Sequence, residues 1–244
     1  MVRRTKADAE ATRHALLDAA EQLFQARGVS RTTLQDIANA AGTTRGAIYW
    51  HFQDKADLFN AMMERVTLPL EQSTYTAQAA EAPLQQIRLS VLVALHKTAT
   101  DERARRVFEI ATQQVEYNGE MLAVRERKLR WRDDYLAYLT QQFEAAAAEA
   151  RFPLPIPSRS AALGLKAILT GTLDNWLLDP RDFDLVQVGT QVMDRYLAGL
   201  GFSPAGAAQG LLPAALAPLN AVSGAAPLRP TDSRKPVRSR TRTV

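Results

Sequence analysis

The sequence predicts an all-α fold in two helical parts. Apolar residues recur at helical spacing from about residue 7 to residue 200, and no stretch shows the apolar–polar alternation of a half-buried strand. Glycine, proline and capping residues divide this pattern into segments of helical length. We therefore expect a small N-terminal helical domain over residues 1–66, a larger helical domain over residues 67–202 and a tail over residues 203–244.

The first helix is expected between residues 7 and 27, because nothing there breaks a helix and Gly28 follows. It carries one apolar stripe: Leu16, Leu17, Ala20, Leu23 and Phe24.

Two short helices separated by a glycine turn follow, over residues 34–41 and 45–52. Gly42 stands where the first must end, and the hydroxyl of Thr43 or Thr44 can cap the second. Helices joined by so short a turn can place the second helix in the major groove of DNA. An ordinary helical hairpin is the alternative, but the cap chemistry and the adjacent Tyr49 and Trp50 on a short helix favour the helix-turn-helix.

The residues around the start of the second helix are the candidates for reading base edges: Thr43, Thr44, Arg45, Gly46 and Ala47. Arg45 suits guanine, and the Ala47 methyl suits a thymine methyl. Five further residues are candidate phosphate contacts: Thr32, Thr33, Tyr49, His51 and Lys55. Trp50 has two interpretations, as part of the DNA surface or as a residue packed against the first helix.

The positive charge of the chain is local. Residues 203–244 hold six basic residues and one acid, a net charge of +5, which leaves residues 1–202 with 24 basic and 25 acidic residues. Within that nearly neutral part, Arg3, Arg4 and Lys6 form a basic N-terminal arm suited to phosphates or the minor groove.

Further helices are expected downstream. Asp54 is expected to cap a fourth helix that Pro69 ends or kinks. The later helices are expected over residues 84–97, 101–117, 120–150, 158–178 and 184–200, with Asp101 and Ser158 as caps and a stiff proline connector at 153–157. The tail holds six of the 12 prolines and is expected to be disordered, as either a nonspecific solvated segment or an auxiliary DNA-binding arm.

Composition argues against catalysis, a metal site and a bound cofactor. The three histidines lie in different predicted helices without ligand or triad spacing, and no glycine-rich phosphate loop occurs. The absence of cysteine fits a cytoplasmic protein, and no apolar run is long enough to span a membrane.

Several segments resemble TetR-family repressors, above all the AcrR-like branch that controls multidrug efflux pumps. They are MVRRTK at 1–6, TTLQDIANAAG at 32–42 and TRGAIYWHFQDKADLF at 44–59, with weaker likeness in DERARRVFEI, RERKLRWR and WLLDP further on. The resemblance implies a homodimer formed through the last two helices and an effector pocket in the C-terminal domain.

Such a pocket would be apolar with scattered polar groups. Its candidate residues are Phe108, Thr112, Gln113, Tyr117, Trp131, Tyr135, Tyr138, Thr170, Asp174 and Trp176, each of which could instead belong to an ordinary core. Asp174 lies amid leucines and either meets a cationic ligand or lies on the dimer surface. Small residues on the same predicted helix suit the close helix packing of a dimer: Gly164, Ala167, Ile168, Gly171 and Asn175.

The expected function is therefore that of a homodimeric repressor that binds a palindromic operator in double-stranded DNA. We expect a small hydrophobic or cationic effector to release the repressor from DNA, and the controlled genes to encode a multidrug efflux pump. The alternatives are a regulator of the same fold with another regulon or effector class, even an activator, and an architectural DNA binder without a ligand. The nearly neutral body disfavours the last, since nonspecific binders need many phosphate contacts.

Overall fold

The computed structural model describes residues 6–78 and 82–202, and every regular element in them is helical. The N-terminal helices are α1 (Lys6–Arg27), α2 (Leu34–Ala40), α3 (Arg45–His51) and α4 (Lys55–Gln78). The C-terminal helices are α5 (Pro83–Thr100), α6 (Glu102–Gln113), a 3-10 turn (Gly119–Met121), α7 (Leu122–Ala150), α8 (Ser158–Leu178) and α9 (Leu185–Gly199). The predicted all-α class is confirmed. Residues 203–244 lie outside the described residues, so the expectation for the tail stays a prediction.

The first three helices pack around one apolar core with the start of α4. Leu16, Ile37, Ile48 and Phe59 are buried in it, one from each helix. Gly28 follows the last residue of α1 and has a φ of +82°, a backbone conformation that is strained for residues with a side chain. Its N–H donates a hydrogen bond to the Phe24 carbonyl, which closes the end of the helix. This shared core fixes how the two short helices α2 and α3 are oriented against α1 and α4.

Two helix ends differ from the sequence prediction. Of the two alternatives for Pro69, an end of α4 is wrong, because the helix continues through Pro69 to Gln78; a kink there stays a prediction. Helix α6 ends at Gln113 instead of near Tyr117, and the next carbonyl, that of Gln114, accepts a hydrogen bond from the Val29 N–H at 3.0 Å.

The start of α8 is also different from the prediction. Ser158 forms no side-chain cap, and the Pro157 carbonyl accepts the N–H groups of Ser160 and Ala161 instead. The cap predicted for α6 is present, because the Asp101 carboxylate accepts the N–H groups of Arg103 and Ala104.

Helix α5 lies at the centre of the C-terminal domain and packs against both α7 and α9. A Cβ added at Gly189 in α9 would lie 2.6 Å from a methyl of the buried Leu95, so this contact requires glycine. At Gly164 in α8, a Cβ would lie 2.2 Å from the Tyr196 hydroxyl. Gly164 therefore allows Tyr196 of α9 to approach α8 closely within one subunit, and its place in a dimer surface stays a prediction.

None of the helices in residues 6–78 and 82–202 combines the length and the apolar composition that crossing a bilayer requires.

Candidate functional site

Helix α2 is fixed at its start by reciprocal hydrogen bonds. Asp36 N–H donates to the Thr33 hydroxyl oxygen at 3.1 Å, and the Thr33 backbone N–H and hydroxyl donate to the Asp36 carboxylate at 2.9 and 2.6 Å. These bonds from the Thr33 hydroxyl and N–H lower the pKa of Asp36 below its ordinary value. Such a capping box sets where α2 begins and which face it buries.

Helix α3 is set by its turn and its cap. Gly42 adopts a φ of +64°, which favours glycine, and the Thr43 N–H then bonds to the Ala38 carbonyl at 2.9 Å. The Thr44 hydroxyl accepts the Ala47 N–H at 3.2 Å. Ile48 is fully buried and holds the helix against the core.

The opposite face of α3 is open. Thr44, Arg45 and Gly46 at its start are exposed, and Tyr49 and Trp50 follow on its outer surface. Trp50 is 73% exposed, so its interpretation as a residue packed against α1 is wrong. The residues predicted to read bases thus lie on one accessible surface, with Thr43 and Ala47 partly buried at its edge.

Two residue pairs order the aromatic groups of this surface. The Arg45 guanidinium lies 5.7 Å from the centre of the Tyr49 ring. The Trp50 and His51 rings meet edge to face at 4.6 Å. An arginine, a phenol and an indole on one short helix offer hydrogen-bond donors and flat apolar surface together.

Two of the predicted phosphate contacts are internal. The Lys55 ammonium is buried, donates to the Val29 and Thr32 carbonyls at 3.0 and 3.1 Å, and pairs with Glu120 at 2.6 Å. The Thr32 side chain is also buried and donates to the Gly28 carbonyl at 2.9 Å. Lys55 and Thr32 therefore stabilise the loop before α2, and the expectation that they touch DNA is wrong.

Of the predicted basic arm, Lys6 is the exposed first residue of α1. Arg3 and Arg4 lie outside the described residues, so their role in DNA binding stays a prediction.

The two domains meet through a cluster of charges that the sequence does not reveal. Glu21 of α1 is 1% exposed, and Arg65 of α4 and Arg103 of α6 lie within 3.5 Å of its carboxylate. Burial raises the pKa of Glu21 more than these arginines lower it. Asp18 also pairs with both arginines, at 2.8 Å each. Helix α6 is thereby tied to the first helix of the DNA-binding domain.

The predicted effector residues fall into three places. Thr112 and Gln113 are exposed at the end of α6, where Phe108 contacts both cores and the Tyr117 hydroxyl donates to the Ala111 carbonyl. Trp131, Tyr135 and Tyr138 form a ladder of rings along α7, with centres 5.6 and 6.3 Å apart. On α8, Thr170 is exposed, Asp174 is partly buried and Trp176 is buried.

Trp176 belongs to the core and not to a pocket. It is 5% exposed, and its indole N–H donates to the Phe183 carbonyl at 3.2 Å. A narrow crevice lies between α5, α8 and α9, and the predicted effector residues do not line it. Its lining is apolar apart from one threonine: Val91, Leu95, Leu165, Ile168, Leu169, Thr172, Gly189 and Met193.

Within the described part of the chain, no three histidine, aspartate or glutamate side chains are grouped so that they could hold a metal ion.

Comparison with known proteins assigns both domains. Residues 16–62 match the bacterial regulatory proteins of the tetR family, and residues 82–202 match the C-terminal region of MAATS-type transcriptional repressors. The HTH-type transcriptional repressor BepR of Brucella suis biovar 1 is 40% identical over 201 residues, which cover 82% of this chain and 96% of BepR. The HTH-type transcriptional regulator TtgR of Pseudomonas putida is 36% identical, over 84% of this chain and 99% of TtgR.

Solved structures agree. NalD, the secondary repressor of the MexAB-OprM multidrug efflux pump in Pseudomonas aeruginosa, superposes with a TM-score of 0.73 at 39% identity, covering 80% of this chain and 98% of NalD. The SmeT–triclosan complex superposes with a TM-score of 0.67 at 32% identity, covering 78% of this chain and 91% of SmeT. With both domains matched and the helix-turn-helix in place, the chain belongs to the TetR family of transcriptional regulators, a family of DNA-binding proteins and not of enzymes.

Proposed function

We propose that this protein is a homodimeric repressor of a multidrug efflux operon that binds a palindromic operator and is released by a hydrophobic, drug-like effector. The observation that carries the proposal is the capped, exposed face of α3, where Thr44, Arg45 and Tyr49 are accessible. The efflux assignment is supported by the likeness to NalD and SmeT, both of which are described as repressors of multidrug efflux pumps.

The dimer is supported by the outer surface of α8 and α9. Leu163 and Leu178 of α8 are 55% and 72% exposed, and Val192 of α9 is 40% exposed. Three large apolar side chains on two adjacent helices suit a two-fold interface, which would place two α3 helices on successive half-sites.

Release follows from thermodynamic linkage. An effector that favours a conformation in which the two α3 helices no longer match successive half-sites weakens operator binding by the same coupling free energy. Helix α6 is suited to carry the change, since it touches the C-terminal core through Phe108 and reaches α1 through Arg103.

Footprinting on the DNA upstream of the chain's own gene tests the DNA-binding part. Arg45→Ala should weaken binding and relax base preference, whereas Tyr49→Ala should weaken binding to all sequences alike. Arg125→Ala, an equal loss of charge on an exposed position of α7, is the matched control and should change neither. A monomer in light scattering at micromolar concentration, together with no binding to any palindrome, would refute the proposal.

Calorimetry with a panel of lipophilic drugs, triclosan among them, tests the effector part. We expect a ligand that binds below millimolar concentration and lowers operator affinity. Ligands that bind without changing DNA affinity would show that the C-terminal site is not regulatory.

A further inference from the structure

The apolar core of the DNA-binding domain is completed by the C-terminal domain. Val107 and Ile110 of α6 are buried in it, and so are Met121 of the 3-10 turn and Val124 of α7. Residues 114–121, the α6–α7 segment, therefore run along the DNA-binding domain between two buried anchors. The core that orients α2 and α3 thus also fixes the place of this segment.

The α6–α7 segment holds the loop before α2 through a backbone group and a side chain. The Gln114 carbonyl accepts the Val29 N–H at 3.0 Å. The Glu120 carboxylate pairs with the Lys55 ammonium at 2.6 Å. That ammonium also donates to the Val29 and Thr32 carbonyls, at 3.0 and 3.1 Å. Both backbone polar groups of Val29 are therefore bound, one directly by the segment and one through Lys55.

The Lys55 ammonium has three protons to donate, and in the part of the chain that the structure describes three acceptors surround it. Two are loop carbonyls, and the third is the Glu120 carboxylate. With the carbonyls alone, this buried ammonium would keep one proton without a protein partner, which is costly. The lysine stem is flexible and does not itself fix the ammonium. The carboxylate therefore decides where the ammonium lies.

The loop that Lys55 holds leads directly into the helix-turn-helix. Thr32, whose carbonyl it binds, is joined to Thr33, the N-cap of α2. Thr33 forms the capping box with Asp36, so the position of this loop determines where α2 begins. Helix α3 follows α2 after the short turn at Gly42 and shares its core.

We infer that Glu120 is a positioning residue for DNA binding, through which the C-terminal domain sets the orientation of α2 and α3. It does so by directing the Lys55 ammonium onto the loop before α2. The inference rests on the proposed function only in that the protein selects a specific DNA duplex. Base recognition depends on this orientation more than phosphate attraction does, because base edges must be met at hydrogen-bond distance whereas phosphates line the whole duplex.

The substitution Glu120→Gln keeps the size of the side chain and removes its charge. The affinity of the full chain is measured for the duplex that the wild-type protein selects from a random library, and for a scrambled duplex of equal length. The ratio of the two affinities should fall by about threefold in Glu120→Gln, since an ion pair with one exposed partner contributes little free energy. Glu116→Gln, an equal loss of charge at another exposed position of the α6–α7 segment, should leave the ratio unchanged.

Two further measurements separate positioning from a purely stabilising role. In the Lys55→Met background, adding Glu120→Gln should change the ratio no further, because the ammonium that Glu120 directs is gone. The Asp36 N–H, which donates to the Thr33 hydroxyl oxygen, should exchange with solvent faster in Glu120→Gln than in the wild type or in Glu116→Gln.

The outcomes separate this inference from the proposed function. A ratio that is unchanged in Glu120→Gln, that falls equally in Glu116→Gln, or that falls further in the double variant would overturn the positioning role while leaving specific DNA binding intact. Unchanged exchange at the Asp36 amide would overturn it as well, whether or not a duplex is selected. Failure of the wild-type protein to select any duplex would instead count against the proposed function. Circular dichroism melts of each variant check that the fold is retained.

Discussion

Replacing Lys55 with methionine distinguishes a structural role from a DNA contact at this position. The buried ammonium makes two hydrogen bonds to the loop before α2, and hydrogen bonds to charged groups contribute about 1.5–3 kcal/mol each at most. Its partner Glu120 is 58% exposed, so that ion pair adds no more than about 1 kcal/mol. Methionine keeps most of the apolar stem and removes the cost of burying a charge, so we expect the free energy of unfolding to fall by about 2–4 kcal/mol, less than the sum of the two hydrogen bonds.

Urea denaturation measures the loss of stability. DNA titrations over a range of salt concentrations test whether Lys55 contacts a phosphate. Each phosphate contact adds about 0.9 to the slope of log affinity against log salt. The Lys55→Met variant should be less stable and bind DNA more weakly, with an unchanged slope. Glu120→Gln, which leaves both loop hydrogen bonds in place, should cost less than about 1 kcal/mol. A stable Lys55→Met variant with a slope lower by about one contact would refute this reasoning and restore the phosphate assignment.

Three further predictions concern packing, pH and the tail. Gly189→Ala should destabilise the protein by about 1–3 kcal/mol, because the added methyl clashes with Leu95. Gly199→Ala at the end of α9, where a Cβ meets nothing within 4 Å, should not destabilise it; urea midpoints equal to each other would contradict this comparison. Burial raises the pKa of Asp101, but hydrogen bonds from Lys97 and from two backbone N–H groups outweigh burial and hold that pKa below its ordinary value. The stability that this carboxylate contributes is therefore lost as pH falls through its folded pKa, and Asp101→Asn, which keeps a cap, should flatten the acid limb of a melting-temperature profile; an unchanged limb would speak against the argument. Deleting residues 203–244 removes a net charge of +5 and should lower the salt slope of DNA binding without changing the melting temperature, whereas an unchanged slope would show that the tail does not touch DNA.

The helix-turn-helix could be predicted from sequence because local chemistry specifies it. Gly42 permits the turn, the Thr44 hydroxyl caps α3, and Ile48 fixes which face is buried, all within seven residues. The cap of α6 at Asp101 is equally local. Interactions of this range depend little on the rest of the fold.

The errors arise where distant segments meet. Nothing near Lys55 in sequence indicates that two carbonyls more than 20 residues earlier surround its ammonium. Aromatic residues on α7 and α8 have the composition of a pocket, but composition does not show that Trp176 points into the core.

One hydrogen bond between the domains uses no side chain. The Val29 N–H, in a fully buried residue before α2, donates to the Gln114 carbonyl just after α6. Because both partners are backbone groups, replacing a side chain does not remove this hydrogen bond. The exchange of its single amide proton reports whether α6 stays in contact with the DNA-binding domain. Hydrogen exchange at that amide should be slow while α6 holds its place, and under the proposed mechanism it should quicken when an effector moves α6. One resolved amide can thus report on the proposed release step in the intact protein, independently of any DNA-binding assay.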